Sequence, residues 1–329
     1  MAKDQSDRGG VNVASIDIGS HTARLLISQR TEDSRLFRPL LRERAYIRLA
    51  EDFGPPGREI LKPEAMERAF QALGDFGRTV REWDVKEVSA VSTGVVRKAG
   101  NRDQFLSLLY ERTGIKAKVI TGEEEARLTG KGVLHSLDIR RGPFIIFDLG
   151  GGSTEFLLSE REDTTVRSVP LGAMVLTQAF LKGDPPSGKD TEALNRYVEE
   201  VLHRTFPGQP GEEEGDRLVV GTGGTVTTLG AMLLSLDVGD IGPEKIHGLT
   251  ITRKSVQELF ARMRTLTVEE RSRMKGLDRG RADVILAGSM VVTAILHFFR
   301  SPRMLVSFSD ILEGILIDSL AGSTVQGRD

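Results

Sequence analysis

Apolar positions recur along the chain with two periods. Short apolar runs at residues 11–16, 86–92, 144–147, 218–220 and 303–307 read as strands. Segments with helical spacing fall between and after them, at 63–82, 101–113, 122–135, 172–181, 190–206, 252–263, 281–299 and 309–320. Strand and helix signals alternating in this way predict an α/β fold. The stretch 207–216, PGQPGEEEGD, reads as a surface loop. The arginines between Arg30 and Arg48 read as a solvated sheet edge in preference to a path for a polyanion.

The pattern also repeats. Residues 17–28, DIGSHTARLLIS, align without gaps on residues 148–159, DLGGGSTEFLLS, at an offset of 131. Asp17 falls on Asp148, Gly19 on Gly150 and Thr22 on Ser153. Each copy follows a strand and closes in an apolar run, so each predicts a hairpin whose turn carries Asp, Gly and a hydroxyl. Two duplicated α/β domains follow, assigned to residues 1–128 and 129–329, with the boundary near the helix 122–135. The last helix has the option of packing back on the first domain. Ligands of such folds sit in crevices beyond strand ends, here expected between the domains.

The turns carry the candidate chemistry. In Asp148-Leu-Gly-Gly-Gly-Ser-Thr-Glu155, glycines 150, 151 and 152 let backbone N–H groups approach an oxyanion, and Ser153 adds a donor. Asp148 suits a hard cation, and Glu155 lies in the following strand. The competing reading is a plain glycine hairpin. Asp17 with Ser20, His21 and Thr22 forms the partner loop, or an ordinary turn. Gly223, Gly224 and Thr225 open a helix after a short strand, a setting that binds anions or merely packs tightly. Glu123, Glu124 and Glu125 open another helix; acids suit that end of the dipole, and they also admit a general base. Arg97, after a buried strand, is either a ligand group or a surface arginine.

Composition narrows the classes. The chain has 329 residues with 39% hydrophobic and 28% charged positions, which fits a globular protein of two domains. A formal net charge of −2 gives no reason to expect DNA binding. The absence of cysteine excludes disulfides, thiolate metal sites and a cysteine nucleophile. No signal-peptide pattern is visible at the start, and the apolar run 287–299 is shorter than the ~20 residues a membrane span needs. A cytoplasmic protein without membrane partners is expected.

Taken together, VASIDIGSHTARLLI, STGVVRKAGN, ITGEEEARL, FDLGGGSTEF and VVGTGGTVTTLGAM resemble the signature blocks of the Ppx/GppA phosphatases, in the family's order. The resemblance implies two ribonuclease-H-like domains of the actin/sugar-kinase/Hsp70 superfamily, in a short two-domain member. It implies an exopolyphosphatase, with guanosine pentaphosphate (pppGpp) hydrolysis or a non-catalytic alarmone or polyphosphate sensor as alternatives. By the same resemblance Glu125 is the catalytic base and Glu155 the second acid. Asp17 and Asp148 surround phosphate and Mg²⁺, and Arg97 binds phosphate. His21 departs from the family's usual Asn and is expected at the tip of the first loop, pointing at phosphate. A homodimer is compatible with these readings.

Overall fold

The computed structural model describes residues 10–30, 37–54, 57–140, 142–160, 163–208 and 217–323. Most of the surface loop expected at 207–216 lies outside them. The chain divides into two compact units, residues 1–121 with 311–329, and residues 122–310. The division falls at the start of the helix beginning at Gly122 rather than after residue 128, so that helix belongs wholly to the second unit.

The first unit runs β1 (Val11–Ile18), β2 (Thr22–Arg30), β3 (Phe37–Tyr46), α1 (Pro63–Glu82), β4 (Glu87–Ser92), α2 (Gly94–Lys98), α3 (Arg102–Thr113) and β5 (Ala117–Val119). Its sheet has the order β3-β2-β1-β4-β5. β1 pairs antiparallel with β2 and parallel with β4, and is buried from Val13 to Ile18 because both faces are covered. β3, at the edge, carries Arg38, Arg42 and Arg44 and is half-buried to exposed throughout. α1 starts on Pro63, where a missing N–H costs nothing, and buries Met66, Phe70, Leu73 and Phe76 on one face.

The second unit runs α4 (Gly122–Ser136), β6 (Phe144–Leu149), β7 (Thr154–Glu160), β8 (Asp163–Val169), α5 (Ala173–Phe180), α6 (Gly188–Thr205), β9 (Leu218–Thr222), α7 (Gly224–Leu233), α8 (Pro243–Ile246), β10 (Thr250–Thr252), α9 (Arg253–Met263), α10 (Val268–Arg271), α11 (Ile285–Phe298) and β11 (Arg303–Val306). The order β10-β11-β9-β6-β7-β8 contains the first sheet's order with the same strand senses: an antiparallel meander followed by two parallel strands. The duplication read from two turns therefore extends to the topology of both sheets. α11 is buried almost all round, as the apolar run 287–299 predicts for a core helix. Phe298 and Phe299 at its C-terminal end pack with Phe156 and Phe206 in edge-on and tilted pairs, with centroids 5.0–6.2 Å apart. Among the described residues no helix is long and apolar enough to cross a membrane.

Helix α12 (Ile311–Ser323) returns to the first unit. Leu312 and Leu316 pack on Val13 and Leu26, and Ser15 Oγ donates to Leu312 O at 2.8 Å.

Candidate active site

In the first unit the β1–β2 turn is closed by Gly19 N donating to Thr22 O at 3.0 Å. Asp17 is directly opposite Arg24 across the hairpin, and Arg24 donates through Nε and Nη2 to Asp17 Oδ2 at 3.0 and 2.7 Å. The Thr93 hydroxyl reaches Asp17 Oδ1 at 3.5 Å. Ser20 Oγ accepts from Val95 N at 3.1 Å and fixes the start of α2; Gly94, at φ 52, leaves room for that oxygen where a Cβ would collide with it. α2 carries Arg97, whose Nη1 donates to Ile120 O at 3.0 Å. His21 is buried, its carbonyl accepts from Ile47 N and Arg48 N, and its ring lies 5.2 Å from that of Tyr46. The imidazole expected at the loop tip is thus packed on an aromatic neighbour.

In the second unit the equivalent positions carry different charges. Asp148 is directly opposite Glu155, where the first hairpin has Asp17 opposite Arg24. The carboxylates are 7% and 3% exposed and share one face of the sheet. Thr129 Oγ1 of α4 donates to Asp148 Oδ2 at 3.4 Å, and Ser168 Oγ of β8 donates to Glu155 Oε1 at 2.7 Å. On its other side Asp148 is in register with Thr222, and Gly223, at φ 91, is so close to Asp148 Oδ1 that a Cβ would collide. Two neighbouring buried carboxylates favour a cation or a shared proton between them.

The triple-glycine turn is held from behind. The carbonyls of Gly150 and Gly151 accept from Ala173 N and Met174 N, both at 3.0 Å, and Gly172 touches Gly151 and Gly152 so closely that no side chain fits. Among the described residues the N–H groups of Gly151 and Gly152 donate to no protein acceptor. Ser153 is buried beside them. Gly224 and Thr225 begin the ten-residue helix α7, whose first N–H groups lack intrahelical partners. The guanidinium of Arg281, a residue 7% exposed, lies directly against Gly224. Arg271, also buried, donates to Ala282 O at 3.0 Å and Leu266 O at 2.8 Å; burial lowers its pKa and Asp184 and Asp283 oppose that shift. Glu125 sits half-buried in the first turn of α4, after Glu123 and Glu124.

The model of the Ppx/GppA phosphatase family matches residues 26–322, nearly the whole chain. The chain belongs to this family. It is 34% identical over 326 residues to exopolyphosphatase 2 of Mycobacterium tuberculosis, covering 94% of this chain and 98% of that one. The crystal structure of the Aquifex aeolicus Ppx/GppA family member superposes with a TM-score of 0.76 at 31% identity, covering 98% of this chain and 100% of that one. An exopolyphosphatase from Cytophaga hutchinsonii gives 0.84 at 25% identity, covering 94% and 98%. The two α/β units are accordingly those of an actin-like Ppx/GppA phosphatase.

Each unit gathers part of the residue set expected of a Ppx/GppA protein. The first holds Asp17, Ser20, His21, Thr22 and Arg97; the second holds Glu125, Asp148, Glu155, Ser153 and the glycines of both loops. Sequence reading passed over four side chains that touch these groups. Arg24 was visible in the repeat, since the same offset of 131 places it on Glu155. Arg281 stands at the start of the helix expected over 281–299, outside the signature blocks. Thr129 and Ser168 carry no local signal, because register and packing alone bring them to the carboxylates.

Proposed function

We infer that this chain is an exopolyphosphatase, hydrolysing the terminal phosphoanhydride of inorganic polyphosphate. The observation that carries the reading is the buried Asp148–Glu155 pair beside a rigid glycine turn with available N–H groups. Hydrolysis requires a placed water, a base and neutralisation of the phosphoryl oxygens. Glu125 accepts the proton of the attacking water, and Glu155, fixed by Ser168, orients that water. The water oxygen bonds to the terminal phosphorus, and the bridging oxygen leaves with the shortened chain. The N–H groups of Gly151, Gly152 and α7, with Arg281, neutralise phosphoryl oxygens.

A hard cation fits the second unit better than the first. Among the described residues no cluster of three or more His, Asp or Glu side chains is arranged to hold a metal. Mg²⁺ keeps several waters and binds through one or two carboxylates plus substrate phosphates, which suits Asp148 with Glu155 at its side. Asp17 has its charge balanced by Arg24 and is the poorer ligand. When bound, the cation supplies charge neutralisation to the phosphate oxygens. The test is phosphate release from purified inorganic polyphosphate, with pppGpp in parallel. Release from neither substrate, with Mg²⁺ present, would overturn the reading; faster release from pppGpp would shift it to the pentaphosphate.

A further inference from the structure

The second unit holds a cavity of about 480 Å³ at the end of its strands opposite the glycine loops. Arg217 and Leu218 line it where β9 begins, Thr250 lines it from β10, and the segment from Phe299 to Leu305 closes it where α11 ends and β11 begins. The loop at Gly223 lies at the other end of β9, about 13 Å along the strand at ~3.3 Å per residue. The cavity's volume suits a small ligand and exceeds what one phosphate needs.

Arg217, Arg300 and Arg303 give this cavity three positive charges. Arg217 pairs with Glu160 at 2.9 Å. The side chains of Arg300 and Arg303 make no hydrogen bond or ion pair among the described residues. The backbone at Arg300 adds an independent observation. Helix α11 ends with Ser301 N donating to Leu296 O at 2.8 Å and Arg300 N donating to His297 O at 3.0 Å, and Arg300 stands at φ 53. This helix ending ordinarily takes glycine, because a side chain at left-handed φ costs conformational energy. An arginine occupies the position here, next to a cavity lined by a second arginine whose side chain has no partner among the described residues, by Thr250, and by Ser301, whose hydroxyl donates to Arg303 O at 2.6 Å.

We propose that this cavity is a second anion site that binds a linear oligophosphate without hydrolysing it. Guanidinium groups present forked donors that match phosphate oxygens, and successive phosphates of one chain match several arginines set around one cavity. The site stands on these charges and not on the hydrolytic reading of the loops.

The experiment is calorimetric titration of the full chain with inorganic tripolyphosphate, in low salt with EDTA, so that binding is read without turnover. The variants are R300A/R303A, R300G and, as a control of equal charge change on the same unit, R262A/R264A; Arg262 and Arg264 are both exposed. In the parent a class of sites is expected that weakens at least about tenfold in R300A/R303A, as loss of one or more charge-assisted contacts implies. R300G should weaken the same class while its melting temperature stays level or rises, since glycine relieves the left-handed position. The control should match the parent. An R300A/R303A isotherm superimposing on the parent's would overturn the proposal, and so would an equal loss in R262A/R264A. Failure of the hydrolytic reading would show instead as absent phosphate release and leave this titration unchanged.

Discussion

Replacing Glu155 by glutamine should stabilise the metal-free protein while disabling it. The change removes one negative charge from the Asp148–Glu155 pair and keeps the side chain's size and the oxygen that accepts from Ser168. Residues directly opposite in antiparallel strands hold their Cβ atoms about 5 Å apart. Two unit charges at that separation repel by about 3 kcal/mol at an effective dielectric of 20. The Ser168 hydrogen bond weakens by about 1 kcal/mol when its acceptor becomes neutral. The net gain is about 2 kcal/mol, or about 4–8 °C in melting temperature for a unit of this size. Thermal melts in EDTA between pH 8 and pH 4 read it directly. The advantage of E155Q should be full at the alkaline end and fade as pH falls, because both parental carboxyls then take up protons. Mg²⁺ should raise the melting temperature of the parent more than that of E155Q, and polyphosphate turnover by E155Q should fall at least about a hundredfold. A metal-free E155Q that melts below the parent at pH 8 would refute the argument.

Three other substitutions probe candidate residues of each unit separately. E125Q keeps the shape of the side chain but cannot accept a proton, so turnover should drop by ~10²–10⁴-fold with little change in KM; near-parental kcat would exclude it as the base. R24M removes the two hydrogen bonds that Arg24 donates to Oδ2 of the buried Asp17 carboxylate and should cost about 2–4 kcal/mol in denaturant unfolding, discounted for the partly exposed arginine, with D17N restoring part of the loss in the double variant. G224A places a methyl group on the Arg281 guanidinium; stability should change little, since alanine suits a helix, whereas phosphate release should fall sharply, and parental activity would remove Arg281 from the site.

The legible part of this protein was whatever repeats or alternates. The two Asp-Gly turns were found from residue identities, and the long helices from their apolar period, with α1 falling at 63–82 as expected. β3 escaped assignment as a strand because its arginines and Glu43 interrupt the alternation; only the arginines' reading as a sheet edge pointed to it. β5 and β10 are three residues each and give no period. The helix expected over 281–299 begins at Ile285, because Asp278 caps Gly280 and holds Arg279–Arg281 in a tighter turn, which brings Arg281 to Gly224. For His21 the identity was noticed but its orientation was not legible, since Tyr46, on which it packs, lies in the strand that was missed.

The return of α12 to the first unit sets an order of events during synthesis. Residues 122–310 form one continuous unit, whereas the first unit is sewn together by a contact from Ser15 to Leu312, 297 positions apart. At ~5–20 residues per second a ribosome needs roughly ten to forty seconds to pass through the second unit. Throughout that interval β1 and β2 lack the leucines that cover Val13 and Leu26. The later-made half can therefore finish folding first, and the earlier-made half waits with an apolar face open to chaperones.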